Sequence, residues 1–270
     1  LVIGMDLADL GAVRAADPFA VLASIDESRL RDALMGPFDR KTVNIADLLP
    51  TGSQGSRHVG IGTNFPEHAA ESNSDSVFNF PKFGTATPAR TTVSAPAGSL
   101  LDYEIELCMR FDRAIASLED FDAAVKGVFL CADFTDRIAL LELADPDDLD
   151  SGFGFSDSKS GPGFFPTGPF LVIPHDWASF TRDIRMMTHH NGEPRQDARG
   201  GEMILNFREL TKKALADMQE PRFFYDGAFV KLAPSGQIDQ DMTLMSGTSE
   251  GVIFTAPARH DYIEMGLAYL

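Results

Sequence analysis

The sequence predicts an α+β fold that is predominantly β. From Arg57 onward, short β-like runs alternate with turns that contain glycine or proline. These runs are HVGIG, TTVSA, LDYEIELCM, GVFLCA, FLVIP, EMILNF, TLMSG and GVIFT. Helical periodicity is confined to a few segments, chiefly residues 134–143 and 207–218. Because strands and helices do not alternate regularly, the pattern favours a β-rich fold with scattered helices over βαβ units.

The first 55 residues differ in character from the rest of the chain. Pro18 opens a helical pattern that residues 26–28 interrupt, and no regular series of strands follows it. Residues 50–56, PTGSQGS, have the composition of a linker. We therefore predict a small N-terminal segment, residues 1–55, followed by one main domain, residues 56–270.

Composition argues against several classes of partner. The formal net charge is −17, and an acidic surface repels both nucleic-acid phosphates and anionic lipids, so neither is an expected partner. No stretch approaches 18 uninterrupted apolar residues, so no transmembrane helix is predicted. Asp6 and Asp9 interrupt the apolar N-terminal run too early for a signal peptide. We therefore expect a cytoplasmic protein.

The two cysteines, Cys108 and Cys131, each lie within an apolar run. The simplest interpretation is two reduced thiols buried in the core of a cytosolic protein. No CxxC pair or cysteine–histidine spacing is present, so a structural zinc site is not predicted.

The segment LDYEIELCM, residues 101–109, carries the sharpest local signal. Apolar residues alternate with Asp102, Glu104 and Glu106, and a period of two places all three carboxylates on one face of a strand. One interpretation is an ordinary half-buried strand with a solvated acidic face. The other is a cation site, because a bound cation would relieve the repulsion between adjacent carboxylates. Oxygen ligands alone would favour magnesium, manganese or calcium over zinc.

Asp133 is the best candidate for a further carboxylate ligand, because it ends the apolar run GVFLCA. An acid at this position either caps the helix that follows or serves as a ligand at the end of a strand. The residues alone favour the cap. Arg137 lies one helical turn later and would face the same way.

His68 and Glu71 form the third constellation. Pro66 suits the first turn of a helix, so His68 and Glu71 become an i, i+3 pair on one helix face. Such a pair is often only a surface contact. A carboxylate beside imidazole also orients the ring and raises its basicity, as a general base requires.

Taken together, these constellations resemble the fumarylacetoacetate hydrolase family. Six of the family's motifs occur in order over about 190 residues. The matches are Gly62-Thr-Asn64-Phe65-Pro-Glu-His68-Ala-Ala-Glu71, Glu104-Ile-Glu106-Leu107, Asp133-Phe-Thr135-Asp-Arg137, Lys159-Ser160 with Pro166-Thr-Gly-Pro169, Asn191-Gly-Glu-Pro-Arg195-Gln196, and Ser246-Gly-Thr248-Ser-Glu-Gly251-Val252. The resemblance implies a twisted roll of mixed β-strands that assembles as a homodimer.

The resemblance also implies a role for each site residue. Glu104, Glu106 and Asp133 would bind Mg²⁺, or Mn²⁺ or Ca²⁺ in its place, and His68 with Glu71 would activate a water molecule. Lys159 and Arg137 would hold the carboxylate and the oxyanion of a small keto-acid substrate. Thr248 and Asn64 would lie at the rim of the substrate site.

Several positions depart from the family's pattern. Phe65 replaces the usual tyrosine, and Ser246 and Ser249 replace threonine and proline. Where the family often has D-W-Q after its arginine, this chain has Ile138-Ala-Leu140, which lacks a polar group. The family's final G-D-x-V strand and G-L-G turn are not matched before Leu270, so we expect the C-terminal part of the domain to be incomplete in this chain.

The favoured function is a metal-dependent hydrolase that cleaves a carbon–carbon bond in a 1,3-diketo acid of the acylpyruvate or fumarylpyruvate type. The same enolate-stabilising site would support decarboxylation or tautomerisation of oxaloacetate, or isomerisation or hydration of a dienoate. A non-catalytic homologue that only binds a metal or ligand is a further alternative, because fold alone does not determine function.

Overall fold

The computed structural model describes residues 1–72, 76–94, 96–145 and 148–254. The strands within these ranges are β1 (Val2–Gly4), β2 (Lys41–Val43), β3 (Arg57–Gly62), β4 (Phe78–Phe83), β5 (Thr87–Pro88), β6 (Leu101–Asp102), β7 (Ile105–Phe111), β8 (Lys126–Ala132), β9 (Thr135–Asp136), β10 (Pro166–Thr167), β11 (Arg185–His190), β12 (Glu193–Arg199), β13 (Phe223–Tyr225), β14 (Ala228–Val230) and β15 (Leu244–Met245).

The helices are short and scattered between the strands. The α-helices described are α1 (Pro18–Ala23), α2 (Glu27–Met35), α3 (Pro66–Glu71), α4 (Leu118–Ala123), α5 (Arg137–Leu143), α6 (Phe155–Lys159), α7 (Trp177–Asp183) and α8 (Phe207–Asp217). Short 3₁₀ turns span Leu7–Leu10, Ile45–Asp47, Leu149–Ser151 and Gly200–Glu202.

One mixed sheet of seven strands organises the molecule, in the order β4-β3-β15-β7-β8-β10-β5. The pairs β3–β15 and β5–β10 are parallel, and the remaining neighbours are antiparallel. The pairs β1–β2, β6–β9, β11–β12 and β13–β14 form smaller two-stranded sheets. The predicted α+β, predominantly β fold is therefore confirmed.

Aromatic side chains fill the core beside β4. Phe78 and Phe80 alternate along that strand, and both pack against Phe155 of α6, with ring centroids 4.6 and 5.7 Å away respectively. Their rings lie over Gly62 and Gly60 of β3, where a Cβ atom would collide with them. The two glycines therefore allow β3 to lie close beneath the aromatic cluster.

Several predicted elements form with altered boundaries. The segment LDYEIELCM is two strands, because Leu101 and Asp102 pair with β9 while β7 starts only at Ile105. The helix predicted over residues 134–143 begins at Arg137. The run TTVSA forms no strand in its described residues, 91–94, since these residues are largely exposed and have no neighbouring strand to pair with.

The cysteine prediction was wrong, because Cys108 and Cys131 form a disulfide. In the antiparallel pair β7–β8, Cys131 lies opposite Glu106, and Cys108 is two residues further along β7. The two cysteines are thus diagonal neighbours on one sheet face, with Cα atoms 5.9 Å apart, which is within reach of a disulfide. Sequence alone does not give this strand register. Without reduced thiols, the cysteines no longer support the expected cytoplasmic location.

The N-terminal segment is tied to the main sheet through Arg110 of β7. Its guanidinium donates to the carbonyls of Thr51 and Gly52, at 3.1 and 3.2 Å, and to the carboxylate of Asp17 at 3.0 Å. The domain boundary at residues 55–56 stays a prediction, and residues 255–270 of the predicted main domain lie outside the described residues. Among the described helices, none is long and apolar enough to span a membrane.

Candidate functional site

Three carboxylates meet at the end of the β7–β8 pair. Glu106 is in β7, Glu104 immediately precedes that strand, and Asp133 immediately follows β8. The backbone amide of Asp133 donates to the carbonyl of Glu104 at 2.9 Å, which fixes the two chain segments side by side. All three side chains are buried, and one oxygen from each lies within 4.8 Å of the others. These three residues will be called the acidic triad.

The structure rules out one of the two interpretations of Asp133, namely the helix cap. Asp136, not Asp133, caps helix α5, and its carboxylate accepts from the amides of Ile138 and Ala139. Asp133 instead points into the triad. The third predicted carboxylate of the strand, Asp102, lies apart from the triad because the strand breaks after it, and it pairs with Arg137 instead.

Two predicted cationic groups contact the triad. Lys159, the last residue of α6, places its Nζ 2.6 Å from Glu104 Oε2 and 2.9 Å from Asp133 Oδ2, and it also donates to Thr135. Arg137 donates to Glu104 Oε1 at 2.7 Å and to Asp102 at 2.8 Å. The composition of residues 145–163 is typical of a long loop, but the structure forms helix α6 within this stretch.

The electrostatic environment shifts the pKa values of Glu104 and Glu106 in opposite directions. Burial opposes ionisation of Glu104, but Lys159 and Arg137 outweigh it and lower the pKa of Glu104 to about 2. Burial raises the pKa of Glu106 well above its ordinary value, and the negative charges of Asp133 and Glu104 raise it further. Glu106 is therefore the member of the triad whose charge is least compensated by the protein.

The donor set fits a hard divalent cation. Glu106 Oε1 is buried without a hydrogen-bond partner, and Asp133 Oδ2 has only its ion-pair contact with Lys159. Oxygen atoms from three carboxylates are the ligands that Mg²⁺, Mn²⁺ and Ca²⁺ prefer. A cation between them would supply the positive charge that Glu106 lacks.

A second buried lysine was missed in the sequence. Lys82 of β4 is fully buried, and its ammonium donates to Asp133 Oδ1 and, at 2.5 Å, to the backbone carbonyl of Lys159. The signal was available, because period two places Lys82 on the same strand face as Phe78 and Phe80. A charged residue in the inward-facing series of an aromatic strand is rare without a buried partner.

His68 and Glu71 form the predicted pair on helix α3. His68 Nδ1 lies 3.2 Å from Glu71 Oε2, and both side chains retain some exposure to solvent. Burial would raise the pKa of Glu71, but the hydrogen bonds from His68 and from the amide of Gly251 lower it below its ordinary value. Because an ionised carboxylate only accepts, Nδ1 is the nitrogen that donates to Glu71, and in the neutral ring Nε2 is free to accept a proton. In its protonated form the imidazole of His68 also lowers the pKa of Glu104, so the pair lies near the triad.

The loop after β15 also contacts the site. Gly247, with a φ angle of +78°, donates its amide to Glu106 Oε2 at 2.9 Å. Thr248 donates to the carbonyl of Ile105 and accepts from Gln196, so it braces β7 against the hairpin β11–β12. The side chain of Asn64 bonds to backbone groups of residues 205 and 246. Substrate contact by Thr248 and Asn64 stays a prediction.

Most of the predicted site residues therefore converge. The acidic triad, Lys159 and Arg137 share direct contacts, and the His68–Glu71 pair adjoins them. The hairpin predicted at Asn191-Gly192 joins β11 and β12 as expected. Fold and site together define a class, namely a β-rich domain with a buried carboxylate triad beside a histidine–glutamate pair.

Comparison with known families identifies this class. Residues 57–222, more than half of the chain, match the model described as "Fumarylacetoacetate (FAA) hydrolase C-terminal". The chain belongs to the fumarylacetoacetate hydrolase family. An uncharacterized protein of Staphylococcus epidermidis is 30% identical over 174 residues, which cover 62% of this chain and 54% of that protein. The chain thus spans about half the length of this relative.

Solved structures show the same fold. A 2-hydroxyhepta-2,4-diene-1,7-dioate isomerase from Mycobacterium marinum superposes with a TM-score of 0.57 at 19% identity, covering 95% of this chain and 83% of that chain. A fumarylpyruvate hydrolase from Pseudomonas aeruginosa, in complex with Mn²⁺ and pyruvate, superposes with a TM-score of 0.55 at 22% identity, covering 81% and 90%. The fold is thus shared by proteins named hydrolases and isomerases.

Proposed function

We propose that this protein is a metal-dependent hydrolase that cleaves a carbon–carbon bond in a 1,3-diketo acid of the acylpyruvate or fumarylpyruvate type. The observation that carries the proposal is the His68–Glu71 pair beside the buried acidic triad. A cation site alone would serve enolate chemistry, whereas an oriented general base is the extra component that hydrolysis requires.

The charges around the site support an anionic substrate. The buried groups in contact are the carboxylates Asp102, Glu104, Glu106 and Asp133 and the cations Lys82, Lys159 and Arg137. With all of them ionised, four acids and three bases leave a formal charge of −1. One divalent cation would reverse the sign to +1, which favours binding of a carboxylate or an enolate.

Glu104, Glu106 and Asp133 would hold Mg²⁺ or Mn²⁺, as proposed here from their oxygen-only donor set. The cation would polarise the keto oxygens of the acid and stabilise enolate charge. The structure of the Pseudomonas aeruginosa fumarylpyruvate hydrolase with Mn²⁺ and pyruvate supports this assignment by analogy of fold.

The side chains of the site divide the chemical work. His68 Nε2 takes a proton from water while Glu71 stabilises the resulting imidazolium. Hydroxide adds to the distal carbonyl carbon, and the ammonium of Lys159 faces the developing oxyanion. The carbon–carbon bond then breaks, its electron pair forms the enolate of pyruvate, and the enolate takes up a proton. The products are a carboxylic acid and pyruvate.

Isomerisation of a dienoate is the second candidate. It is favoured by the similarity to the Mycobacterium marinum isomerase and by the apolar sequence Ile138-Ala-Leu140, which lacks a polar group expected to face substrate. Decarboxylation or tautomerisation of oxaloacetate would use the same triad without an attacking water. The His68–Glu71 pair separates hydrolysis from decarboxylation, which needs no attacking water. Isomerisation or hydration of a dienoate would also use a general base, so the substrate that is turned over separates these reactions from hydrolysis.

The experiment that tests the proposal follows ultraviolet absorbance of three substrates: an acylpyruvate, oxaloacetate and a 2-hydroxydienoate. Each is incubated with Mn²⁺, with Mg²⁺ or with chelator. His68→Ala is compared with His189→Ala, which removes an exposed histidine from the β11–β12 hairpin. We expect metal-dependent loss of acylpyruvate, a decrease in kcat of about 100-fold or more in His68→Ala, and normal activity in His189→Ala.

Two results would contradict the proposal. Turnover of oxaloacetate or of the dienoate without acylpyruvate cleavage, whether or not it survives His68→Ala, would make this protein a decarboxylase, tautomerase or isomerase. Cation binding without turnover of any of the three substrates would indicate a binding homologue.

Assembly and location also remain predictions. We infer a homodimer from the family, and light scattering on the purified protein would give twice the 29.4 kDa mass of the chain if it is correct. The cytoplasmic location is proposed from the sequence, and fractionation of cells that produce the protein would test it.

A further inference from the structure

Lys82 is a charged residue with no direct part in the proposed reaction. Its side chain is completely buried, and the described partners of its ammonium are Asp133 Oδ1 and the backbone carbonyl of Lys159. It also lies 5.8 Å from the ring centre of Phe165. Nothing in the reaction assigned to the His68–Glu71 pair uses this lysine.

Burial of a lysine at this position carries a cost that an apolar residue would avoid. An ammonium loses its hydration when buried, and a single ion pair often fails to offset that loss. Methionine has a similar length and no charge, and the neighbouring inward positions of β4 are occupied by Phe78 and Phe80. The position is therefore suited to an apolar side chain, and the lysine calls for an explanation beyond stability.

The two contacts of Lys82 join the parts that carry the site. Asp133 follows β8 and is a member of the triad, whereas Lys159 ends helix α6 and reaches Glu104. By holding Asp133 Oδ1, Lys82 leaves Oδ2 as the oxygen whose one described contact is the ion pair with Lys159 at 2.9 Å. By holding the Lys159 carbonyl, it fixes the end of α6 from which the Lys159 side chain extends. A single group on β4 thus orients a ligand and a substrate-facing cation.

We propose that Lys82 is a positioning residue, which orients the Asp133 carboxylate toward the divalent cation and fixes the end of α6 that carries Lys159. This inference rests on the cation site of the proposed function. For the loss of Lys82, it predicts a change in cation affinity opposite in direction to the change that simple electrostatics predicts. Removal of a positive charge near a cation site should tighten cation binding, whereas loss of orientation should weaken it.

The test is direct Mn²⁺ binding, measured as the loss of the free Mn²⁺ signal in electron paramagnetic resonance, on chelator-treated protein. Wild type is compared with Lys82→Met, with Lys82→Arg and with the control Lys126→Met. Lys126 is also a buried lysine, at the start of β8, but the described acceptors of its ammonium are the carbonyls of Asp122 and Ala124. Urea unfolding of each variant gives its folded fraction, and Lys82→Gln replaces Lys82→Met if the latter does not fold.

We expect Lys82→Met to bind Mn²⁺ about 10- to 100-fold more weakly than wild type, because groups that orient metal ligands typically contribute this much. Lys82→Arg, which keeps a charged donor, is expected to recover part of that loss, and Lys126→Met to lose stability but not Mn²⁺ affinity. Equal or tighter binding by Lys82→Met would overturn the positioning role alone. Failure of wild type itself to bind Mn²⁺ would overturn the cation site as well.

Discussion

Strand β4 and helix α6 pack against each other along one face, and the two ends of this contact carry different kinds of side chain. At one end, Phe78 and Phe80 of β4 pack against Phe155 of α6. At the other end, Lys82 of β4 contacts the carbonyl of Lys159, one helical turn after Phe155. The same strand and the same helix therefore carry both an aromatic cluster and a buried ion network. The two lie two residues apart along β4 and one turn apart along α6. We call these the aromatic end and the charged end.

The difference shows how stability and function are distributed. The aromatic end buries apolar surface and favours folding without any ligand. The charged end buries seven ionisable groups, and the nearby charge of Lys159 does not offset the burial of the Glu106 carboxylate and its repulsion by Asp133 and Glu104. The aromatic end holds α6 in place so that the charged end keeps an arrangement suited to a cation.

The largest expected effect is on stability and concerns the aromatic end. Phe78→Ala removes a side chain with 1% exposure from the cluster, so the free energy of unfolding should fall by about 4 kcal/mol. Urea denaturation measures the loss. Phe170→Ala, which truncates a half-exposed phenylalanine, is the control and should cost less than about 1 kcal/mol. The folded fraction of Phe78→Ala should still bind Mn²⁺ normally, and a parallel loss of affinity would show that the two ends are not separable.

The disulfide next to the charged end should contribute almost as much. It joins β7 and β8 across 23 residues of chain, and a loop of this length corresponds to about 3 kcal/mol. The double change Cys108→Ala with Cys131→Ala should lower the free energy of unfolding by that amount. Thiol titration of unfolded, unreduced wild type should detect no free thiol, and detection of two would refute the disulfide.

Glu106→Gln tests the charged end without changing its shape. The amide oxygen of glutamine can still accept from Gly247, but the charge that would bind a cation is gone. We expect Mn²⁺ affinity to fall by about 100-fold or more, measured by calorimetry. Stability of the chelator-treated variant should equal or exceed that of wild type, because an uncompensated buried charge is removed. A strongly destabilised Glu106→Gln with unchanged affinity would assign Glu106 to structure alone.

The smallest expected effect is a change in the pH dependence of stability. The pKa of Glu106 is raised in the folded protein above its ordinary value of 4.5, so below pH 4.5 the folded and unfolded states are both protonated at this site. As pH rises, the unfolded chain releases this proton first. The stability that the folded protein gains by holding the proton is therefore lost gradually, until the pH exceeds the pKa of Glu106 in the folded state. Urea midpoints in chelator from about pH 5 to pH 8 should therefore fall for wild type relative to Glu106→Gln, and saturating Mn²⁺ should abolish the difference. Parallel pH profiles in chelator would contradict the raised pKa.

The sequence identified most of the residues at the charged end, but not all of their roles. Period-two alternation grouped Asp102, Glu104 and Glu106, of which only the two glutamates belong to the triad, and the helical spacing of His68 and Glu71 was correct. The choice between cap and ligand at Asp133 could not be made from sequence, because Asp136, three residues on, is an equally suitable cap and only the backbone conformation decides between them.

The errors share one physical cause, which is that contacts between distant strands depend on register. The disulfide requires Cys131 to lie opposite Glu106, and Lys82 requires β4 and β8 to converge on Asp133. Neither the strand register of the cysteines nor the identity of the partner of Lys82 can be read from a local pattern in the chain. Only the inward-facing lysine of β4 gave a local signal, since a charge in an aromatic series implies a buried partner.

The most direct test of the cation centre is an anomalous diffraction map from crystals soaked with Mn²⁺. We expect one strong peak among the carboxylates of Glu104, Glu106 and Asp133, at about 2.2 Å from their oxygens. Lys159 should remain paired with Glu104. A map with no peak at the triad under saturating Mn²⁺, and with Lys159 still contacting both Glu104 and Asp133, would show that the buried ion network is complete without a metal and would contradict the proposed reaction.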